Sequence, residues 1–341
     1  MAAPRRPGRR TNLALLVLLV GSFVTGWVAF GVGGPSWSRA VTVAHGILGL
    51  GILVLAPWKT VIVRRGLRTG GTHAIGVAFA VVLAVSLVAG IAHAGIGRFE
   101  VAGVNALAVH VAAAVIAVPL AAAHVIRRRQ RPRRTDLSRR TLLRTAGLAA
   151  VAALAYAVQA SVTSLAGFPA ARRRETGSYE VGSGDPTSMP VTQWFTDGVP
   201  GVDLAAYRLE VTRADGSALR LSYGDLLAMG DAVQSAVLDC TGGWWTEQSW
   251  RGVRIDTVLG VPRQGSIAVR SVTGYTMHFP AEAAPGLLLA THVGGKPLLP
   301  GHGSPVRLVA PGRRGFWWVK WVDQIRVDAR PWWLQPPFPL Q

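Results

Sequence analysis

The chain has 341 residues, half of them apolar, with 40 glycines and a single cysteine; it exceeds one ordinary water-soluble domain, and the lone thiol excludes an intrachain disulfide and a zinc site of several cysteines. A formal charge of +19 would suit a nucleic-acid binder, but its distribution does not: residues 1–167 carry 19 Lys/Arg against only Glu100 and Asp136, whereas residues 168–341 carry 17 against 15 acids. The basic excess belongs to the apolar half, and no nucleic acid is expected as a partner.

Four apolar stretches, 12–31, 40–58, 74–96 and 101–126, precede a fifth at 145–168. Each is close to the ~20 residues that cross a hydrocarbon core of ~30 Å, so a transmembrane domain of five helices is expected over residues 1–168, with the lipid bilayer as its partner. Positive charge sits in alternate loops: Arg5, Arg6, Arg9 and Arg10 before the first stretch, then residues 59–68 and 127–140, with only Arg39 and Arg98 between. That is the positive-inside pattern, and it predicts a multi-pass cell-membrane protein with a cytoplasmic amino terminus and an extracytoplasmic tail. Arg172, Arg173 and Arg174 oppose this reading, but three residues do not outweigh the eight of the preceding loop. Trp27, Trp37 and Trp58 fall near helix ends, as interfacial anchors do. The first stretch is too long, and lacks a small-residue cleavage site, for a removable signal peptide. Ser138-Arg139-Arg140-Thr141-Leu142-Leu143, followed by an Ala/Gly-rich helix, resembles a twin-arginine export signal placed internally; the plain alternative is the basic end of a loop.

Ionisable residues within membrane helices are functional candidates. His45 lies on the second stretch, His93 near the outer end of the third, His110 and His124 on the fourth, and His73 at the cytoplasmic edge of the third. His110 and His124 are 14 residues apart, which puts them within about 40° of one helix face and about 21 Å apart along the axis, a spacing that suits two stacked haems. Depth pairs His110 with His45 around an outer haem iron, with His93 as the rival to His45, and leaves His124 with His73 on the inner side. Bis-histidine ligation of one or two b-type haems is one reading; histidines hydrogen-bonded between helices or snorkelling to phosphates are the other.

Residues 169–190 are rich in Pro, Gly, Ser and charge and are expected to form a linker. From 191 to 341, β-like runs recur between turn signals: "YRLEV", "ALRLSY", "SAVLDC", "SIAVRSV", "YTMHF", "VRLVA", "FWWVKWV" and "QIRVDA". "YGDLLAM" and "IDTVLG" read as short helices, and the terminal "RPWWLQPPFPLQ" as an extended strap, too proline-rich for a central strand. The expected fold is therefore an α-helical membrane bundle followed by a β-rich α+β domain.

Cys240 stands in "VLDCTGGWWTEQSW". A free cysteine is most often a small buried hydrophobe; alternatively the two following glycines admit a bulky group and the thiolate is a soft metal ligand or a nucleophile. A second cluster, "GHGSPVRLVAPGRRGFWWVKW" at 301–321, gathers His302, Arg307, Arg313, Arg314 and Lys320 around Gly/Pro turns, which suits an anionic ligand such as a phosphate.

Together, Cys-Thr-Gly-Gly-Trp from Cys240, Trp250-Arg251-Gly252-Val253, His302-Gly303-x-Pro305-x-Arg307, Pro311-Gly312, Gly315 and Val319-Lys320-Trp321 resemble the sulfite-oxidase-type molybdopterin oxidoreductases over residues 191–328. The resemblance implies a molybdopterin cofactor whose molybdenum is ligated by Cys240, with His302, Arg307 and Lys320 contacting the pterin and its phosphate and Thr273 as a weaker carry-over. Where many members carry serine two residues before the lysine, this chain has Trp318. Arg251 near the metal mouth is the candidate catalytic cation beside Cys240. The membrane half is similar, more loosely, to the b-type haem modules that accompany periplasmic reductases. The resulting expectation is a membrane-anchored enzyme that carries out oxygen-atom or two-electron transfer on a small-molecule oxide or oxyanion and exchanges electrons with quinone or another membrane carrier. The alternatives are a plain helical anchor without haem, and an exported non-catalytic binding domain that keeps the fold without metal.

Overall fold

A computed structural model describes residues 8–32, 34, 36–67, 73–97, 100–101, 104–130, 133, 136, 138–193, 198–260 and 265–335. Arg5, Arg6, Arg68 and Arg98, and residues 336–341 of the strap, lie outside the described residues. The chain divides into two compact units, one of Met1–Phe30 with Ser36–Tyr179 and one of Gly31–Pro35 with Glu180–Gln341.

The first unit contains α1 (Arg9–Gly31), α2 (Ser38–Leu67), α3 (Ala74–Gly95), α4 (Ala106–Arg127) and α5 (Arg139–Leu165). All five are long and apolar enough to cross a membrane. Two depart from the apolar runs. α2 continues past Trp58 to Leu67, through Pro57, because Lys and Arg are good helix formers and favour the negative end of the helix dipole. α4 starts later than its apolar run, after a hairpin of β1 (Glu100–Val101) and β2 (Val104–Asn105). Its start is set by Asn105, whose side chain accepts from the Ala108 amide, a strong N-cap. α3 packs on α4 and α2 on α5. After α5, a 3-10 turn at Pro169–Arg172 leads back to the carbonyl end of α3: Arg173 donates to Ala94 O at 2.8 Å and Tyr179 donates to His93 O at 2.5 Å. These bonds satisfy carbonyls that the end of a helix otherwise leaves orphaned.

β3 (Tyr179–Glu180) spans the division between the units. The second unit then runs β4 (Arg208–Thr212), β5 (Ala218–Ser222), α6 (Tyr223–Met229), β6 (Ala232–Cys240), β7 (Trp244–Arg254), α7 (Ile255–Leu259), β8 (Ser266–Ser271), β9 (Thr276–Pro280), β10 (Leu288–Val293), β11 (Lys296–Pro297), β12 (Arg307–Val309) and β13 (Val322–Asp328). One sheet is ordered β5-β4-β13-β8-β9, and β13 is parallel to β4 and antiparallel to β8. In the other, β7 pairs with β6 and β10, and β10 pairs with β11 and β12. A shared core holds Leu209, Leu238, Trp250, Ile267, Leu289 and Trp318. α6 begins with a capping box between Ser222 and Asp225.

Residues 180–190, read from the sequence as linker, are held along β7. Val181 N donates to Trp245 O at 2.9 Å, Gly184 N donates to Glu247 O at 3.0 Å, and Met189 is buried in the core. The "FWWVKWV" run is not a strand. It forms a 3-10 turn at Gly315–Trp317 and then bends, with Trp321 at φ 51. The described part of the terminal strap is not extended: residues 331–335 turn, with Leu334 N donating to Pro331 O at 2.9 Å, and the Gln335 side chain bonds both the N–H and the carbonyl of His278, covering the backbone of edge strand β9.

Gly252 shows how closely β7 and β10 approach, since a Cβ there would lie 1.9 Å from Leu289 O. Gly252→Ala is expected to lower stability by about 1–3 kcal/mol through forced separation of the strands. Gly286→Ala, which meets nothing within 4 Å, is expected to change it little. Thermal denaturation of the two purified variants checks the contrast.

Candidate functional site

Cys240 is the last residue of β6, paired across a tight turn with Trp244 of β7. Its sulfur accepts from the Gly242 amide at 3.3 Å and borders a cavity also lined by Thr241, Thr273, Arg307, Trp318 and Lys320. Four residues named from the sequence, Cys240, Thr273, Arg307 and Lys320, therefore converge on one cavity although 80 positions separate the first from the last.

Arg307 opens β12 and is fully buried. Its guanidinium carbon lies 5.7 Å from the Trp250 ring centroid and 5.8 Å from that of Trp318, the two rings meeting edge to face at 5.5 Å. Trp318 thus forms one wall of a cation pocket, and its indole N–H donates to Arg313 O at 3.2 Å. Arg307 Nη1 donates to His302 O at 3.2 Å, while its buried Nε has no hydrogen-bond partner. Burial brings its pKa down to about 10, opposed by the neighbouring Cys240 sulfur. Lys320 donates to Thr192 O at 2.9 Å and Gly301 O at 2.7 Å. Burial first, then Arg307, holds its pKa near 7, again opposed by Cys240. His302 does not line the cavity; it stands behind Arg307, buried and donating from Nε2 to Met189 O at 3.0 Å. Burial lowers its pKa, with Arg307 and Lys320 adding to the effect, and its Nδ1 is a buried acceptor with no partner.

Arg251 is placed differently. β7 alternates strictly here, with Trp244, Thr246, Gln248 and Trp250 buried and Glu247 and Ser249 exposed. Arg251 follows the outward set, pairs in register with His292 of β10, and is not among the residues lining the cavity. A sequence motif counts neighbours, whereas a strand sends neighbours to opposite faces.

Several participants were not singled out from the sequence: Asp239, Thr192, Ser271 and Tyr275. Asp239 precedes the cysteine and forms a buried ion pair with Arg314, whose Nη2 also donates to Cys240 O at 3.3 Å. Tyr275 lines the cavity and donates to Phe316 O at 2.7 Å; only its proximity to Thr273 in "SVTGY" could have marked it.

The donor set fits a molybdenum pterin. A lone soft sulfur faces the cavity, no carboxylate lines it among the described residues, two cations border it, and the buried Nε of Arg307 lacks a partner. Buried polar atoms are rarely left so unless a ligand completes them.

In the first unit, the structure brings His45 and His110 together. Their ring centroids are 5.8 Å apart, nearly perpendicular. Each Nδ1 donates to a helix carbonyl, His45 to Ser22 O at 2.8 Å and His110 to Ser86 O at 2.7 Å. His93 instead bonds Gly177 O through Nε2 at 2.7 Å, so it secures the segment after α5. His124 packs against Phe79, and His73 receives a bond from Arg128.

Residues 196–333 match the family described as the oxidoreductase molybdopterin binding domain. Mitochondrial sulfite oxidase of Mus musculus is 29% identical over 167 residues, covering 38% of this chain and 31% of that protein. NADH nitrate reductase 1 of Oryza sativa subsp. japonica is 28% identical over 170 residues, 38% of this chain and 19% of that protein. The chain thus spans less than a third of the length of these relatives. Among solved structures, the sulfane dehydrogenase SoxCD of Paracoccus pantotrophus is similar at 23% identity over 39% of this chain and 41% of that one, with a TM-score of 0.37.

Two outcomes are expected. Asp239→Asn leaves the Arg314 charge buried without its counter-charge and should cost about 3–5 kcal/mol, read by thermal denaturation. Lys320 gives a pH dependence. Between its folded pKa near 7 and the ordinary lysine value of 10.5, the unfolded chain holds a proton that the folded one lacks, so the stability of the anion-free domain rises with pH across that window. An anion in the cavity restores the proton. Sulfate, whose own charge is constant there, should bind metal-free protein more weakly as pH rises through about 7, and Lys320→Gln should flatten the slope in calorimetric titrations.

Proposed function

We propose that this chain is a membrane-anchored enzyme whose catalytic domain, the residues 196–333 that match the oxidoreductase molybdopterin binding domain, works outside the cytoplasm on a small-molecule oxide or oxyanion. The observation that carries the reading is the convergence of Cys240, Arg307 and Lys320 on one cavity. When bound, the molybdenum pterin supplies oxygen-atom or two-electron chemistry; the protein supplies placement and charge neutralisation. Cys240 offers the thiolate, held at the end of β6. Arg307 and Lys320 would neutralise the cofactor's anionic groups, and His302, off the cavity, holds Arg307 by accepting from its Nη1 through the backbone carbonyl. Thr273 and Trp318 shape the cavity wall, the latter standing where a serine contact is replaced by an aromatic one.

Electrons would reach or leave the site through the helices. In this reading His45 and His110 would hold one b-type haem, and quinone or another membrane carrier would be the partner. What supports the pairing is the ring separation. The His45 and His110 ring centroids lie 5.8 Å apart. Each Nδ1 is tied to a carbonyl, which leaves Nε2 as the coordinating atom and fixes the ring, as outer-shell bonds to metal-bound histidines do. The alternate-loop basic charge supports a cytoplasmic amino terminus, and the Arg139-Arg140 entry to α5 suits export of a folded, loaded domain.

Metal and pterin analysis of purified protein should find both in the wild type and a loss of molybdenum in Cys240→Ser; molybdenum retained unchanged would overturn the ligand assignment. Reduced-minus-oxidised spectra of membranes should show a sharp α-band that His110→Leu abolishes and His93→Gln leaves. A chain that folds without molybdenum or an α-band is instead a binding domain on a plain anchor.

A further inference from the structure

Two elements distant in sequence meet underneath Cys240. Arg314 is completely buried, and its guanidinium reaches the cysteine's own peptide segment twice, through an ion pair to Asp239 and a bond from Nη2 to Cys240 O at 3.3 Å. The backbones of Asp239 and Arg314 also form a parallel bridge. The next residue, Gly315, lies so close that a Cβ on it would sit 3.0 Å from Cys240 Cα and 3.2 Å from Asp239 O. Cys240 is thereby held from one side by Arg314 and Gly315, and from the other by the turn whose Gly242 amide donates to its sulfur.

A terminal strand residue with an unbranched side chain can normally shift by some tenths of an ångström at little cost. Here that freedom is removed by a charged two-armed contact in a dry environment, where hydrogen bonds to charged groups are strong. We propose that Arg314, with Gly315, is the positioning element of the Cys240 sulfur: it fixes where that sulfur stands in the cavity relative to Arg307 and Lys320. The proposal rests on Cys240 being the metal ligand, and it assigns Arg314 no contact with metal or substrate. It also separates the two adjacent arginines of the basic turn. Arg313 is spread over the rings of Trp317 and Trp332 at 4.9 and 5.5 Å, while Arg314 points inward to the cysteine segment.

The test uses the full chain isolated with its metal. Because Cys240 is the single cysteine, alkylation by iodoacetamide reports on that sulfur alone, and the sulfur-to-metal charge-transfer absorption reports on its bond. Arg314→Lys keeps the charge but loses the fork. Gly315→Ala keeps Arg314 and displaces the cysteine backbone, so it remains informative if the lysine variant fails to fold. Each folded variant is expected to show a shifted charge-transfer band and alkylation about tenfold faster than wild type, the scale of outer-shell effects on metal sites. Leu209→Ala, destabilised in the core away from the cavity, is expected to keep the wild-type band and protection. If the variants at Arg314 and Gly315 melt lower but retain the wild-type band and protection, Arg314 is a structural residue only and the proposal is overturned. Failure of the ligand assignment looks different: Cys240→Ser would then retain its molybdenum, and wild-type Cys240 would alkylate freely in loaded protein.

Discussion

A guanidinium buried, among the described residues, without a carboxylate partner is the constraint around which the second unit is organised. Removing Arg307 from water costs several kcal/mol, and the fold returns part of it through the faces of Trp250 and Trp318 and the carbonyl of His302. Those contacts come from three separate places: β7, the bend after the Gly315–Trp317 turn, and the loop before β12. To bring the two touching rings, 5.5 Å apart, up to one cation, β7 must lie against β10, which in turn carries β12. The depressed pKa values of Arg307 and Lys320 are the residual of that cost. An anion placed in the cavity would relieve it, because opposite charge favours the protonated form of both side chains.

Much of this was legible in the sequence, and unevenly so. The five helices were readable because a long apolar run has few other uses. Their ends were not, since hydrogen bonding in α2 and α5 continues into basic segments where hydropathy has already fallen. Cys240, Thr273, Arg307 and Lys320 were identified through motif order and do converge on one cavity. Arg251 was named with Trp250 in one motif as the cation near the metal mouth, and strand alternation sends the two side chains to opposite faces. The strands β7 and β10 were not recognised as such. β7 is dominated by tryptophans and polar residues that look like a motif, and β10 is buried along its whole length, so it lacks the alternation that marks a half-exposed strand. Conversely, "FWWVKWV" has strand composition, yet its aromatic rings are used one by one, against Arg313, Arg307 and Pro300 O, which demands a bent backbone.

In the helical unit, the histidines divide by what the backbone offers them. Spacing along α4 placed His110 and His124 on one face, but only His110 has an imidazole opposite it. His45 and His110 both use Nδ1 on a carbonyl one helix away, at Ser22 on α1 and Ser86 on α3. Four helices therefore contribute to orienting the pair. His93 binds the returning segment after α5, so a residue that resembled a ligand by depth serves as a fastener.

The parallel pairing of β13 with β4 carries a consequence for how the protein is made. β13 fills the middle of its sheet, between β4 and β8, and translation delivers it more than a hundred residues after β4. Until then β4 and β8 each expose an unpaired edge, and such long-range pairing is slow to form. Lys320, just before β13, arrives equally late. The cavity therefore lacks its lysine until 80 residues beyond Cys240 have been synthesised, so its two ends are brought together by the closing of the sheet and not by the arrival of the cysteine.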